Sequence, residues 1–223
     1  MKGSIKAMRI STALMTVLCV AGLSAMPAMA QAKKAAPAAA KTQAKGTQTE
    51  KAKTYIDRLG REALDTIAQT KSGKLTNVQA KAKFGKLLNE SFDTPTIARF
   101  TLGRYWRVAT PAQQKEFSGL IDDIIVSQYA DRILNAADGT YSITGASAIN
   151  ATDYAVLMQV KPVGETPIDF AWRVRETKGQ MKVIDLAVEG ISMSITHRSD
   201  YATVIERNGG NVQALIDALK KKL

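Results

Sequence analysis

The feature that most constrains this chain is a change of hydrophobic period at Gly139. Before it, apolar residues recur every three or four positions, which is the signature of one-sided helices. The stripe Ala52, Ile56, Leu59, Ala63, Ile67 predicts a first helix from Glu50 to Gln69. Phe84, Leu87, Leu88 and Phe92 predict a second. Thr94 as cap and Pro95 at the first helical position open a third, which stops at Gly103. Thr110-Pro111-Ala112-Gln113 has the residue types of a capping box and starts a fourth, whose broad face carries Phe117, Leu120, Ile121, Ile124, Ile125 and Ile133. Asp122 and Asp123 interrupt that face. Adjacent helix positions point about 100° apart, so the two carboxylates read as solvated outer-face residues rather than an acid–base pair.

After Gly139 the period is two. Tyr154, Val156, Met158 and Val160 alternate with Ala155, Leu157, Gln159 and Lys161. Ile168, Phe170, Trp172 and Val174 alternate with Asp169, Ala171, Arg173 and Arg175. With flanking strands at Tyr141–Ile149 and Met181–Val188, this predicts a four-stranded antiparallel meander with one apolar face. Ser192 caps a following helix that carries Ile195, Tyr201, Ala202 and Ile205; Gly209-Gly210 ends it, and Asn211 caps the last. The fold class is α+β: a four-stranded antiparallel sheet covered by about six helices.

Residues 1–30 read as a secretory signal peptide. Lys2, Lys6 and Arg9 precede an apolar run from Ile10 to Leu23, short for a bilayer span, and Ala28-Met29-Ala30 has the small-x-small form of a cleavage site before Gln31. The chain's one cysteine, Cys19, lies in that leader, so the expected mature chain has no thiol for a disulfide or a metal. Residues 31–49, rich in Ala, Lys, Gln and Thr with no large apolar side chain, read as a disordered linker. Leader and linker together hold seven of the eleven net positive charges. The domain proper, 50–223, is only mildly basic, which argues against specific nucleic-acid binding.

The one histidine, His197, stands beside Arg198, Ser199 and Asp200. Residues one or two apart on a helix do not face each other, so these side chains do not form a nucleophile–base–orienter chain among themselves, and no nucleophile-elbow, phosphate-loop or zinc-protease motif accompanies them. No catalytic set, metal site or cofactor is therefore assigned. Glu189-Gly190, just before a helix, reads as a carboxylate that serves the helix's free amides. The remaining candidate is the bulky even-numbered sheet face. Two arrangements suit it equally: an ordinary packed core, or the wall of a cavity, for which Met158, Met181 and Met193 are adaptable linings.

"LGRYWRVATPAQQKEF" (Leu102–Phe117) and "DFAWRVRETKGQMKVIDLAVEGISMSITHRSDYATVI" (Asp169–Ile205) resemble the MlaC-type or toluene-tolerance proteins. The shared features are the Leu-Gly pair with aromatics and Ala-Thr-Pro-x-Gln, then Asp-Phe-x-Trp-Arg, Asp185 and Glu189-Gly190-Ile191-Ser192-Met193. The resemblance spans most of residues 50–220. It implies a monomeric periplasmic phospholipid carrier, whose sheet and helices enclose the acyl tails in an apolar cavity with the headgroup near the mouth. Its implied partners are an outer-membrane lipoprotein–porin complex and an inner-membrane ABC transporter with a substrate-binding ring protein. The implied tail-lining residues are Val156, Met158, Phe170, Trp172, Val174, Ile184 and Leu186 from the sheet, with Ile121 and Ile125 from the fourth helix. Competing readings are a carrier of another lipid such as a hopanoid, a small secreted enzyme with Asp185 or Glu189 acting in the cavity, and an envelope adaptor without a cavity. The lysine- and alanine-rich segment after the leader and the short lysine-rich C-terminus depart from the family pattern.

Overall fold

A computed structural model describes residues 36–134, 139–164 and 166–223; the leader and residues 31–35 lie outside them. Two units divide the chain, Met1–Pro37 and Ala38–Leu223, and the elements below belong to the second apart from the first two residues of α1. The order is α1 (Ala36–Lys71), α2 (Asn77–Ser91), α3 (Thr94–Leu102), a 3-10 turn (Gly103–Arg107) and α4 (Pro111–Leu134), then β1 (Gly139–Ala148), β2 (Asp153–Pro162), β3 (Ile168–Thr177), β4 (Gln180–Val188) and β5 (Ile191–Ser192), then α5 (Met193–Arg207) and α6 (Val212–Lys220). The strands form one antiparallel sheet in sequence order, and the two-residue β5 adds a fifth strand to the expected four.

Several boundaries follow from local chemistry. The capping box at Thr110 forms in full, with Thr110 N donating to Gln113 Oε1 at 3.0 Å and Gln113 N to Thr110 Oγ1 at 3.2 Å. Ser192 and Asn211 cap α5 and α6. The cap of α3 is Asp93 rather than Thr94, because its carboxylate accepts from both Thr96 N at 3.1 Å and Thr96 Oγ1 at 2.7 Å. Phe92 is therefore not helical. It is extended (φ −97°, ψ 146°), and bridges to Val183 of β4.

Helix α1 corrects the expected linker: residues 36–49 continue the helix instead of forming irregular chain. Ala, Lys and Gln are strong helix formers, and a helix already anchored by its packed turns extends at low cost. Ile133 belongs to α4, but its side chain lies outside the described residues.

The helices do not all cover the sheet. One apolar cluster is helical, joining Ile97, Leu102, Phe117, Ile121, Ile124, Tyr201, Ile205, Leu215, Ile216 and Leu219 from α3 to α6. The other joins Ala52, Ile56 and Leu59 of α1 to Tyr154, Val156, Met158, Val174 and Val183 of the sheet. Phe92 packs against both. Ile195, expected on the buried stripe of α5, is 61% exposed in the first turn, while Ile205 is fully buried.

Candidate functional site

The apolar sheet face is a stack of cross-strand rows. Ala148, Tyr154, Val174 and Val183 form the first, and Ala146, Val156, Trp172 and Leu186 the second. Ile143, Met158, Phe170 and Val188 form the third, and Tyr141, Val160 and Ile168 the last. Two bulges set these rows. One falls between Ile143 and Gly145, the other opposite Arg173/Val174 in β4. The second places Val183 on the face beside Val174 and leaves Ile184, a predicted lining residue, without a strand partner. Ile184 is buried but belongs to neither cluster. The signal was present in the sequence as Val183-Ile184, two adjacent apolar residues that break the alternation.

Burial falls along these rows. Val156, Val174 and Val183 have no exposed surface, and Tyr154 has 2%. Trp172, Leu186, Phe170, Val188, Val160 and Ile168 are half-buried, while Met158 remains buried. The cover explains the gradient. Helix α1 lies over β1 and β2, where Tyr141 Oη donates to the Asp57 carbonyl at 2.9 Å. A methyl at Gly60 would meet the Tyr141 ring at 2.7 Å, so glycine is what permits this approach. Tyr55 Oη donates to Ser91 O at 3.0 Å and ties α1 to the end of α2 next to Phe92. The β3–β4 half of the face is thus roofed at the Val174 end and half-open at the Ile168 end.

Of the nine predicted lining residues, Val156, Met158, Phe170, Trp172 and Val174 share this face and pack together. Leu186 shares it by register with Trp172. Ile121 and Ile125 do not: both pack in the helical cluster, because α4 turns that stripe toward α3 and α6. The helical residues opposite the sheet are Ala52, Ile56 and Leu59. Their stripe was legible in the sequence, but its partner was not.

The polar candidates have structural roles. Glu189 occupies a two-residue turn with Gly190 (φ 49° and 77°), and its Oε1 accepts from Asp169 N at 2.6 Å across the sheet end. The carboxylate at the start of α5 is instead Asp185, which accepts from Ser194 N at 3.1 Å and Ser192 Oγ at 2.6 Å. His197 stacks on Tyr201 with centroids 5.5 Å apart, and burial lowers its pKa, while Ser199 and Asp200 are exposed. Asp122 departs from its expected solvation. It is half-buried with Oδ1 sealed from solvent, and burial raises its pKa. On the opposite sheet face, fully buried Asp153 accepts from Arg175 Nε and Arg173 Nη2, each at 2.7 Å; these bonds, Arg175 first, hold its carboxyl well below the usual range. No group of three or more His, Cys, Asp or Glu side chains among the described residues is placed to hold a metal ion.

Two open clefts have charged side chains in their walls. One of about 590 Å³ is lined by Glu50, Lys53, Asp57, Arg61 and Tyr141. The other, about 770 Å³, is lined by Lys81, Lys86, Asn89, Glu90 and Asp123. The first reaches the sheet face only at its β1 edge, through Tyr141 and Ile143; the second is lined by residues of α2 and α4 alone.

A sequence model of the MlaC protein family matches residues 57–221. Among solved structures, the fold is similar to that of a phospholipid-binding protein from Ralstonia solanacearum determined in complex with a phospholipid, with a TM-score of 0.67 and 24% identity. That match covers 76% of this chain and 95% of the other.

Proposed function

The chain belongs to the MlaC family, and from that premise we propose that it is a carrier, not an enzyme, that holds the acyl chains of a phospholipid against the sheet face beneath α1. The observation that carries this reading is the gradient of burial. A core sealed on all sides has no use for a wall whose Phe170, Trp172 and Leu186 stay half-buried, whereas a chain-binding wedge needs a sealed floor and an open entrance. The R. solanacearum protein of the same fold, solved with a phospholipid, supports the same cargo class.

Each methylene moved out of water contributes about 0.8 kcal/mol, so two long chains are held far too tightly to leave for water on a useful timescale. Release then requires a receiving surface of equal apolarity. On this reading the mature protein starts at Gln31, works in the periplasm, and exchanges lipid with an outer-membrane lipoprotein–porin complex and an inner-membrane ABC transporter carrying a ring-forming lipid-binding subunit. The carrier needs no cofactor; phospholipid is its cargo.

The test is mass spectrometry of organic extracts from mature protein purified without detergent. Near-stoichiometric two-chain phospholipid is the expected result. A polycyclic lipid in its place reassigns the cargo. Folded protein that stays lipid-free after incubation with phospholipid vesicles overturns the carrier reading.

A further inference from the structure

Among the described residues, the Nε1 atom of Trp172 is sealed from solvent and has no hydrogen-bond partner. An indole N–H left in that state has lost its hydration without a hydrogen bond to replace it, and buried indoles ordinarily find an acceptor. Nothing beside it supplies one. Its cross-strand neighbours are Val156 and Leu186, and along β3 the same face continues with Phe170 and Val174. The aromatic neighbour Phe92 meets the ring edge-on, with centroids 6.5 Å apart and planes at 68°, and a ring is a weak acceptor beside a carbonyl.

The position of this donor matters as much as its state. Trp172 stands in the second row of the face, one row from the sealed Tyr154–Val174–Val183 floor and two from the half-open Val160–Ile168 end. Phenylalanine, as at position 170, would fill such a wall without stranding a donor. Resting on the carrier reading, we propose that the Trp172 indole N–H is the polar anchor for the cargo, donating to an acyl ester carbonyl of the bound phospholipid. Those carbonyls are the acceptors that lie between the chains and the phosphate, so they pass the middle of the wedge when the chains fill its floor. A neutral donor between Val156 and Leu186 suits a neutral carbonyl; a phosphate would call for cations or several donors.

The experiment uses the delipidated mature protein with ¹⁵N-labelled tryptophan. Its two indole resonances, Trp106 and Trp172, are assigned with the W172F variant. The protein is loaded with a diacyl phosphatidylglycerol or with the dialkyl-ether analogue of identical headgroup and chain length. The expected result is a downfield shift of the Trp172 Nε1–H resonance with the diester alone, Trp106 serving as the internal control. A preference of roughly three- to tenfold for the diester accompanies it, the size of one net hydrogen bond, and W172F binds both lipids alike. Equal binding of the two lipids with an unshifted Trp172 resonance overturns the anchor and leaves the carrier standing. Failure to bind either lipid overturns the carrier reading itself. Should W172F not fold, the wild-type resonance and the diester-to-diether ratio decide alone.

Discussion

Ile56→Ala tests whether α1 is seated on the sheet as described. Ile56 is 1% exposed and belongs to the cluster that joins Ala52 and Leu59 to the buried Tyr154, Val156, Val174 and Val183 of the sheet. The substitution removes three carbons, about 2.5 kcal/mol at roughly 0.8 kcal/mol for each. Incomplete collapse of the neighbours adds about 1 kcal/mol, and the better helix propensity of alanine returns a few tenths. The net expectation is a loss of about 3 kcal/mol. In urea unfolding of the delipidated protein, followed by circular dichroism, this lowers the midpoint by about 1.5 M for a slope near 2 kcal/mol/M. Val78→Ala on α2, where valine is 78% exposed, is the control and should stay within about 0.5 kcal/mol. A midpoint shift below about 0.5 M for Ile56→Ala refutes the packed α1–sheet interface and with it the sealed floor of the wedge.

Three further outcomes follow from the same geometry. Phe170→Asp, at the half-open end, should leave a folded protein with at least about tenfold less co-purified lipid, because a carboxylate in the wedge must be desolvated against the chains; full occupancy removes Phe170 from the lining. Asp153→Asn should cost about 2 kcal/mol near neutral pH, since one buried charge-assisted acceptor is lost while Arg173 and Arg175 keep part of their hydration. Because the folded carboxyl titrates below its unfolded value of about 3.9, the wild-type advantage is fully present above that pH and declines as pH falls below it; a stability difference that persists unchanged in strong acid contradicts the assignment. Gly103→Ala should destabilise by about 2 kcal/mol in thermal unfolding, because φ 58° with ψ −125° is open in practice to glycine alone and the added methyl meets the Arg198 guanidinium at 2.9 Å; a neutral result would show that the α3 terminus relaxes.

What the sequence determined by itself was local. Caps at Thr110, Ser192 and Asn211, the meander, and the shared face of Val156, Met158, Phe170, Trp172 and Val174 all rest on chemistry within a few residues or on the strict two-residue alternation of a strand. The family resemblance likewise rested on contiguous blocks. The tertiary structure decided what depends on distant partners. Ile121 and Ile184 were as apolar as their neighbours, and nothing local distinguishes a stripe that meets a sheet from one that meets another helix. A single inserted residue in β4 exchanged Ile184 for Val183, because register is settled by the whole ladder and its paired rows rather than by any one strand. Glu189 and Asp185 both precede a helix, yet only the bend through Gly190 determines which carboxylate reaches its amides. The stranded indole N–H of Trp172 is the clearest case: the residue could be read from the sequence, but the missing acceptor is a property of everything packed around it.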